Sequence, residues 1–154
     1  MSKEIIYWDS DAFLGWLQEE PGKVDLCRAT LERAKKGEVL IVTSALTLAE
    51  VLWMRNAPKI SKHKADLVQR FFRRSYIRVY NVTRAISESA QDLVWDHSIK
   101  PKDAIHVATA ANLKVKILET FDRDLIGKSE KVGDPPITIR TPQEAAQGTL
   151  DLGA

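Results

Sequence analysis

KPKDAIHVATAANLKVKILETFDRDL, residues 100–125, decides how this chain reads. Residues 104–113 are almost uninterruptedly apolar and rich in alanine, the pattern of a helix buried on most sides. Residues 115–121 are short, apolar and β-branched at the start, which suits a buried strand. A carboxylate stands at one end of each element: Asp103 in the first turn of the helix, Asp122 and Asp124 after the strand. A helix that runs back beside a parallel strand brings its N-terminus near that strand's C-terminal end. Asp103 and Asp122 are therefore expected in one crevice, at the edge where open α/β sheets place their ligands.

The rest of the chain alternates in the same way. Residues 5–8 read as a strand ending in Asp9-Ser10-Asp11, and 12–17 as a short helix broken by Glu19-Glu20-Pro21-Gly22. Val24, Cys27, Leu31 and Ala34 recur near helical spacing over 24–36, and Gly37 is a C-terminal stop. A buried strand follows at 39–42, then a turn at Thr43-Ser44 into a helix to about residue 56. Ser61 caps a helix to about 74, residues 77–82 alternate as a strand, and Thr83 caps a helix to about 97. Residues 128–136 form a polar loop, 137–140 a last strand placed at an edge by the preceding prolines, and TPQEAA a brief final helix. Residues 147–154 read as a flexible C-terminal tail. Strands alternating with helices imply an α/β fold, a mostly parallel sheet covered on both faces.

The bulk numbers exclude several classes. At 154 residues the chain is expected to form a single domain with a real core, over 1–146. With 44% hydrophobic and 29% charged residues it has the composition of a soluble globular protein, and a net charge of +2 singles out no partner. The lone Cys27 rules out an internal disulfide and lies on an apolar helix stripe, as core filler does. No secretory signal is visible, and no apolar run approaches the ~20 residues a membrane helix needs, so a cytoplasmic protein is expected.

Four acids fall near the same sheet edge: Asp9, Glu50, Asp103 and Asp122. Together they would resist joint ionisation unless a cation neutralised them. An all-oxygen set suits Mg²⁺ or Mn²⁺, which activates water and stabilises charge on a phosphate during hydrolysis. That points to a metal-dependent phosphodiesterase. Each acid also has a plainer reading. Asp103 complements a helix N-terminus behind Pro101; Asp122 and Asp124 are turn residues; Thr47 and Glu50 fit a capping box. His106, one turn after Asp103, is either a ligand or base, or a satisfied core histidine. Between Arg55 and Arg78 lie Lys59, Lys62, Lys64, Arg70, Arg73 and Arg74, against Asp66 alone. With Lys100, Lys102 and Arg123 beside the acids, they read either as a solvated face or as a rim that tracks a nucleic-acid backbone.

YWDSDAFL, TSALTLAEV, KPKDAIHVATA and ETFDRDL, in this order and spacing, resemble the PIN domain, and within it the small VapC-type toxins of toxin–antitoxin pairs. The resemblance runs from Ile5 to about Ala146. It implies a three-layer α/β/α sandwich of about five strands and a metal-dependent endoribonuclease. By motif match the carried-over acids are Asp9, Glu50, Asp103 and Asp122, with Asp124 an additional metal ligand. Ser10, Ser44 and Thr120 would orient carboxylates or water. It further implies an RNA substrate, a homodimer, and a cognate antitoxin that inserts a segment into the site. Asp11, where the family more often has Asn or Ser, either adds a ligand or caps the following helix.

Two other classes compete. Asp9-Ser10-Asp11 after the first strand is the DxD spacing of haloacid-dehalogenase-type phosphatases, but Gly133-Asp134 runs into Pro135-Pro136 instead of a second acid. A non-catalytic RNA- or partner-binding domain would use the same acids as caps and turns.

Overall fold

A computed structural model describes residues 3–53 and 58–143. The order is β1 (Glu4–Trp8), α1 (Ser10–Leu17), α2 (Val24–Lys35), β2 (Val39–Ser44), α3 (Ala45–Glu50), α4 (Lys62–Phe71), β3 (Ile77–Tyr80), α5 (Arg84–His97), α6 (Pro101–Asn112), β4 (Ile117–Glu119), α7 (Arg123–Ile126) and β5 (Thr138–Arg140). The five strands form one sheet in the order β3-β2-β1-β4-β5, with every pairing parallel. Alternate residues feed two cores. Tyr7, Leu40, Val42, Leu118 and Ile139 face α5 and α6, which contribute Ile86, Ala90, Ala104, Val107 and Ala108. Ile6, Trp8, Val39, Ile41 and Ile77 face α1, α2 and α4, which contribute Phe13, Cys27, Leu31 and Val68. This period of two, with helices on both faces, is the expected three-layer α/β/α architecture.

Sequence signals set most helix ends. Ser44, Ser61 and Thr83 accept backbone N–H groups of Leu46, Lys64 and Ile86 as N-caps. Gly37, at φ +84, closes α2: its N–H reaches the Ala34 carbonyl and that of Glu38 reaches Arg33. The same closure explains why the fourth strand is shorter than expected. Lys114 adopts a left-handed φ of 59, and the N–H of Val115 donates to the Ala110 carbonyl. Val115 is thus the buried apolar residue that ends α6, and pairing begins only at Ile117.

Two other details differ from expectation. Residues 123–126, expected as an acidic turn, form α7. The helix after β2 ends at Glu50 and continues as turns to Trp53; residues 54–57, including Arg55, lie outside the described residues. So do residues 144–154, which carry the second half of the expected last helix and the tail. β5 lies at the sheet edge as expected. Among the described residues no helix is long and apolar enough to cross a membrane.

Candidate active site

β1 is followed by β2 on one side and flanked by β4 on the other, so the sheet order reverses between β1 and β4. Trp8 and Glu119 are paired across this point, and the chain leaves both strands one residue later. Asp9 and Thr120 therefore face the crevice that an open parallel sheet offers to a ligand.

Asp9 is 3% exposed and N-caps α1, its Oδ1 accepting the Ala12 N–H at 3.1 Å. Its Oδ2 accepts the Thr120 hydroxyl at 2.6 Å, and that hydroxyl oxygen accepts the Asp122 N–H at 3.1 Å. One threonine thus ties the acid after β1 to the acid after β4. Asp122 in turn caps α7 by accepting the Asp124 N–H at 2.9 Å. Burial lifts the Asp9 carboxyl to about 7, against the pull of His106 and two hydrogen bonds. Asp103, in the first turn of α6, is raised by burial and then by the neighbouring charge of Asp122. Asp11, in the first turn of α1, is raised by burial and by Asp122. Asp9, not Asp11, is the residue that caps α1.

Glu50 is placed differently from the capping-box reading. Ser44 caps α3, and the Thr47 hydroxyl lies 2.7 Å from that of Thr43. Glu50, at the far end of α3, accepts the Ser10 hydroxyl at 2.6 Å and meets His106 Nε2 at 2.8 Å, both on Oε1. Burial favours its neutral form, but the bonds from His106 and Ser10 outweigh it and hold its carboxyl below the usual range. An ionised carboxylate can only accept, so Nε2 carries a hydrogen in this arrangement. Nδ1 lies 2.7 Å from the Tyr7 hydroxyl, which burial keeps protonated. His106 is therefore satisfied in the core on one side and grips a site acid on the other.

Two adjoining cavities, of about 440 and 450 Å³, share Lys100, Asp103 and Asp122 as walls. The first adds Arg123 and Asp124; the second adds Glu50, Trp53 and Lys102. Of the expected basic residues, Lys102 and Arg123 thus stand at the acids. Lys62, Lys64 and Arg70 lie on α4 with Arg73 and Arg74 just beyond it, and none of the five lines either cavity. Ser10 and Thr120 bond site acids, whereas the Ser44 hydroxyl is engaged as a helix cap.

The donors around the crevice are oxygens held near one another at an electrostatic cost, which is the chemistry a hard divalent cation relieves. Among the described residues, no three His, Cys, Asp or Glu side chains already stand as a ligand cluster. The donor types fit such an ion, which Asp9, Asp103 and Asp122 would hold.

Two residues around the crevice escape a reading of the sequence, Trp53 on its wall and Glu119 buried in the strand that leads to it. Trp53 has a local signal, three residues past Glu50 and so on the same side of the chain if the helical course continues. Glu119 has none, being one polar residue inside an apolar strand. It is 1% exposed and accepts the Trp8 indole N–H at 2.9 Å, the Thr30 hydroxyl at 3.4 Å, and Arg140 Nε and Nη2 at 3.2 Å each.

The chain matches the PIN domain over residues 6–131 and belongs to that family. Among solved structures it is similar to VapC20 of Mycobacterium tuberculosis, described as a sarcin–ricin loop cleaving toxin, at 20% identity and a TM-score of 0.60, over 77% of this chain and 91% of that one. A toxin–antitoxin complex from Klebsiella pneumoniae matches at 20% identity and a TM-score of 0.56, over 90% and 98%. FitAcB from Neisseria gonorrhoeae matches at 17% and 0.56, over 89% and 97%. At such identities the likeness establishes the fold. No curated protein sequence matches the chain significantly.

Proposed function

We propose that this protein is a Mg²⁺- or Mn²⁺-dependent endoribonuclease, the toxin of a toxin–antitoxin pair. The observation that carries this reading is the acid pair joined through Thr120 at the switch point, with Asp103 and Glu50 beside it. The ion would lower the pKa of a bound water and stabilise charge on the scissile phosphate. Asp9, Asp103 and Asp122 would hold it, with Asp124 at the outer wall of the crevice. The Asp9 oxygens each keep a lone pair beyond the hydrogen bonds they accept. Glu50, ionised and fixed by Ser10 and His106, would orient the attacking water or a second ion. Lys100, Lys102 and Arg123 would hold the strand by its phosphates, and the basic face of α4 would extend that track. Membership of the PIN family over residues 6–131 weighs against the phosphatase reading of Asp9 and Asp11.

The toxin descriptions of the solved relatives support the antitoxin partner and the toxin role, and a homodimer in the cytoplasm completes the proposal. The test is cleavage of a mixed set of structured and single-stranded RNAs, with Mn²⁺ or EDTA, by the wild type and by Asp103→Asn. Metal-dependent cutting that disappears in the variant is expected. Equal cutting by both proteins would refute the assigned site.

A further inference from the structure

An aromatic ring stands in water at the wall of the acidic crevice. Trp53 is 67% exposed, yet it lines the same cavity as Glu50, Asp103 and Asp122. Tryptophan is among the largest apolar side chains, and leaving it in solvent forfeits the stabilisation its burial would bring. Its surroundings indicate what it is for. The Lys59 ammonium lies 5.4 Å from the ring centre, and Lys100 and Lys102 line the cavity that the ring helps to wall. Trp95, the other strongly exposed tryptophan at 71%, sits instead in a groove with Ala90, Val94 and Ile105 and no charged residue. The centres of protein–protein contacts are depleted of lysine and acidic side chains, so Trp95 has the setting of a protein contact and Trp53 does not. An exposed ring flanked by cations along a groove is how sequence-tolerant single-strand sites are built: a base stacks on the ring while lysines hold the adjoining phosphates.

We infer that Trp53 is a base-stacking platform for single-stranded RNA, seating a nucleobase beside the phosphate that the acids address. This rests on the ribonuclease reading above and specifies its substrate class. A nucleobase inside a duplex has both faces covered by its neighbours, so a site that demands a free face selects loops and single strands.

The experiment measures binding of a labelled single-stranded RNA and its duplex to the full-length Asp9→Asn protein, alone and with Trp53→Ala, Trp53→Phe or Trp95→Ala added. Trp53→Ala is expected to weaken single-strand binding about 10-fold, as loss of one stacked base does, with little change for the duplex. Trp53→Phe restores most of the loss and Trp95→Ala is indifferent. Thermal melts verify that each variant folds. A parent that binds RNA equally well with and without Trp53→Ala overturns the platform and leaves the ribonuclease reading standing. A parent that binds no RNA brings down both. If Trp53→Ala changes only self-association in sedimentation, the ring belongs to a protein contact and the inference is wrong.

Discussion

His106 Nε2 lies 2.8 Å from Glu50 Oε1, while Nδ1 of the same ring lies 2.7 Å from the Tyr7 hydroxyl. A histidine only 2% exposed therefore connects the middle of β1 to an acid on the crevice wall, across two helices that share no sequence neighbourhood. Supporting residues of this kind typically contribute 10–100-fold to activity. His106→Phe keeps an aromatic ring and removes both bonds, so RNA cleavage should fall by about that factor. Residues that act as a unit are non-additive. Glu50→Gln should then cost much less in the His106→Phe background than in the wild type. Fully additive losses in kcat would show that the two side chains work independently.

The Asp9 carboxyl, lifted to about 7 by burial, gives a stability signature. Its unfolded value is about 4, so between about pH 4 and pH 7 the folded chain binds more protons than the unfolded one. The contribution is present below the unfolded value and is lost as pH rises through the folded one. Asn caps helices as well as Asp does and carries no charge. In metal-free buffer, Asp9→Asn should melt above the wild type at about pH 8, and the two curves should converge towards about pH 4. A gap that is constant with pH would mean that Asp9 is not the titrating group.

The sheet was legible in the sequence because its strands carry dense apolar patterns and its helix ends carry Ser61, Thr83, Gly37 and Pro101, whose local chemistry decides on its own. β4 was over-extended because Val115 looks the same to a pattern whether it enters a strand or closes a helix. Only the left-handed Lys114 distinguishes the two, and lysine gives no sign of it. At the site, the placement of Asp9, Asp103 and Asp122 followed from topology. The partner of Glu50 did not, because Ser10 and His106 are 40 and 56 residues away in sequence. The capping-box spacing of Thr47 and Glu50 was a local coincidence that a tertiary contact overrode.

A divalent ion should reverse the pH trend. Ligands must be deprotonated to bind, so the ion competes with the protons that burial favours on Asp9 and Asp103. Mn²⁺ should raise the melting temperature more at about pH 8 than at about pH 5.5, because fewer protons then have to leave. At about 100 times its dissociation constant, an ion that binds only the native state adds about 2.7 kcal/mol. Asp103→Asn should abolish most of the shift. If EDTA and Mn²⁺ give superimposable melts at both pH values, the crevice binds no such ion.

Glu119 and Arg140 supply a test that is independent of activity. The carboxylate is buried and its pKa is raised by that burial, although Trp8, Arg140 and Thr30 all favour the charged form. Arg140 is the only cation in contact with it among the described residues, and it joins the edge strand β5 to β4. Breaking a buried pair by removing one partner leaves an uncompensated charge, at about 3–5 kcal/mol; here the figure should be nearer 3, because the Arg140 side chain keeps 28% exposure. In a chain of this size each kcal/mol is worth about 2–4 °C, so Arg140→Ala should melt roughly 10 °C lower near neutral pH. The deficit has a sign with pH. Removing Arg140 raises the folded pKa of Glu119 further, so the penalty applies while Glu119 is ionised and fades as pH falls through that value. Glu119→Gln should suppress the effect, because a neutral amide still bonds Trp8 and Thr30 and has no charge to abandon. An Arg140→Ala deficit that persists undiminished in the Glu119→Gln background would trace the loss to packing of the edge strand rather than to the buried charge.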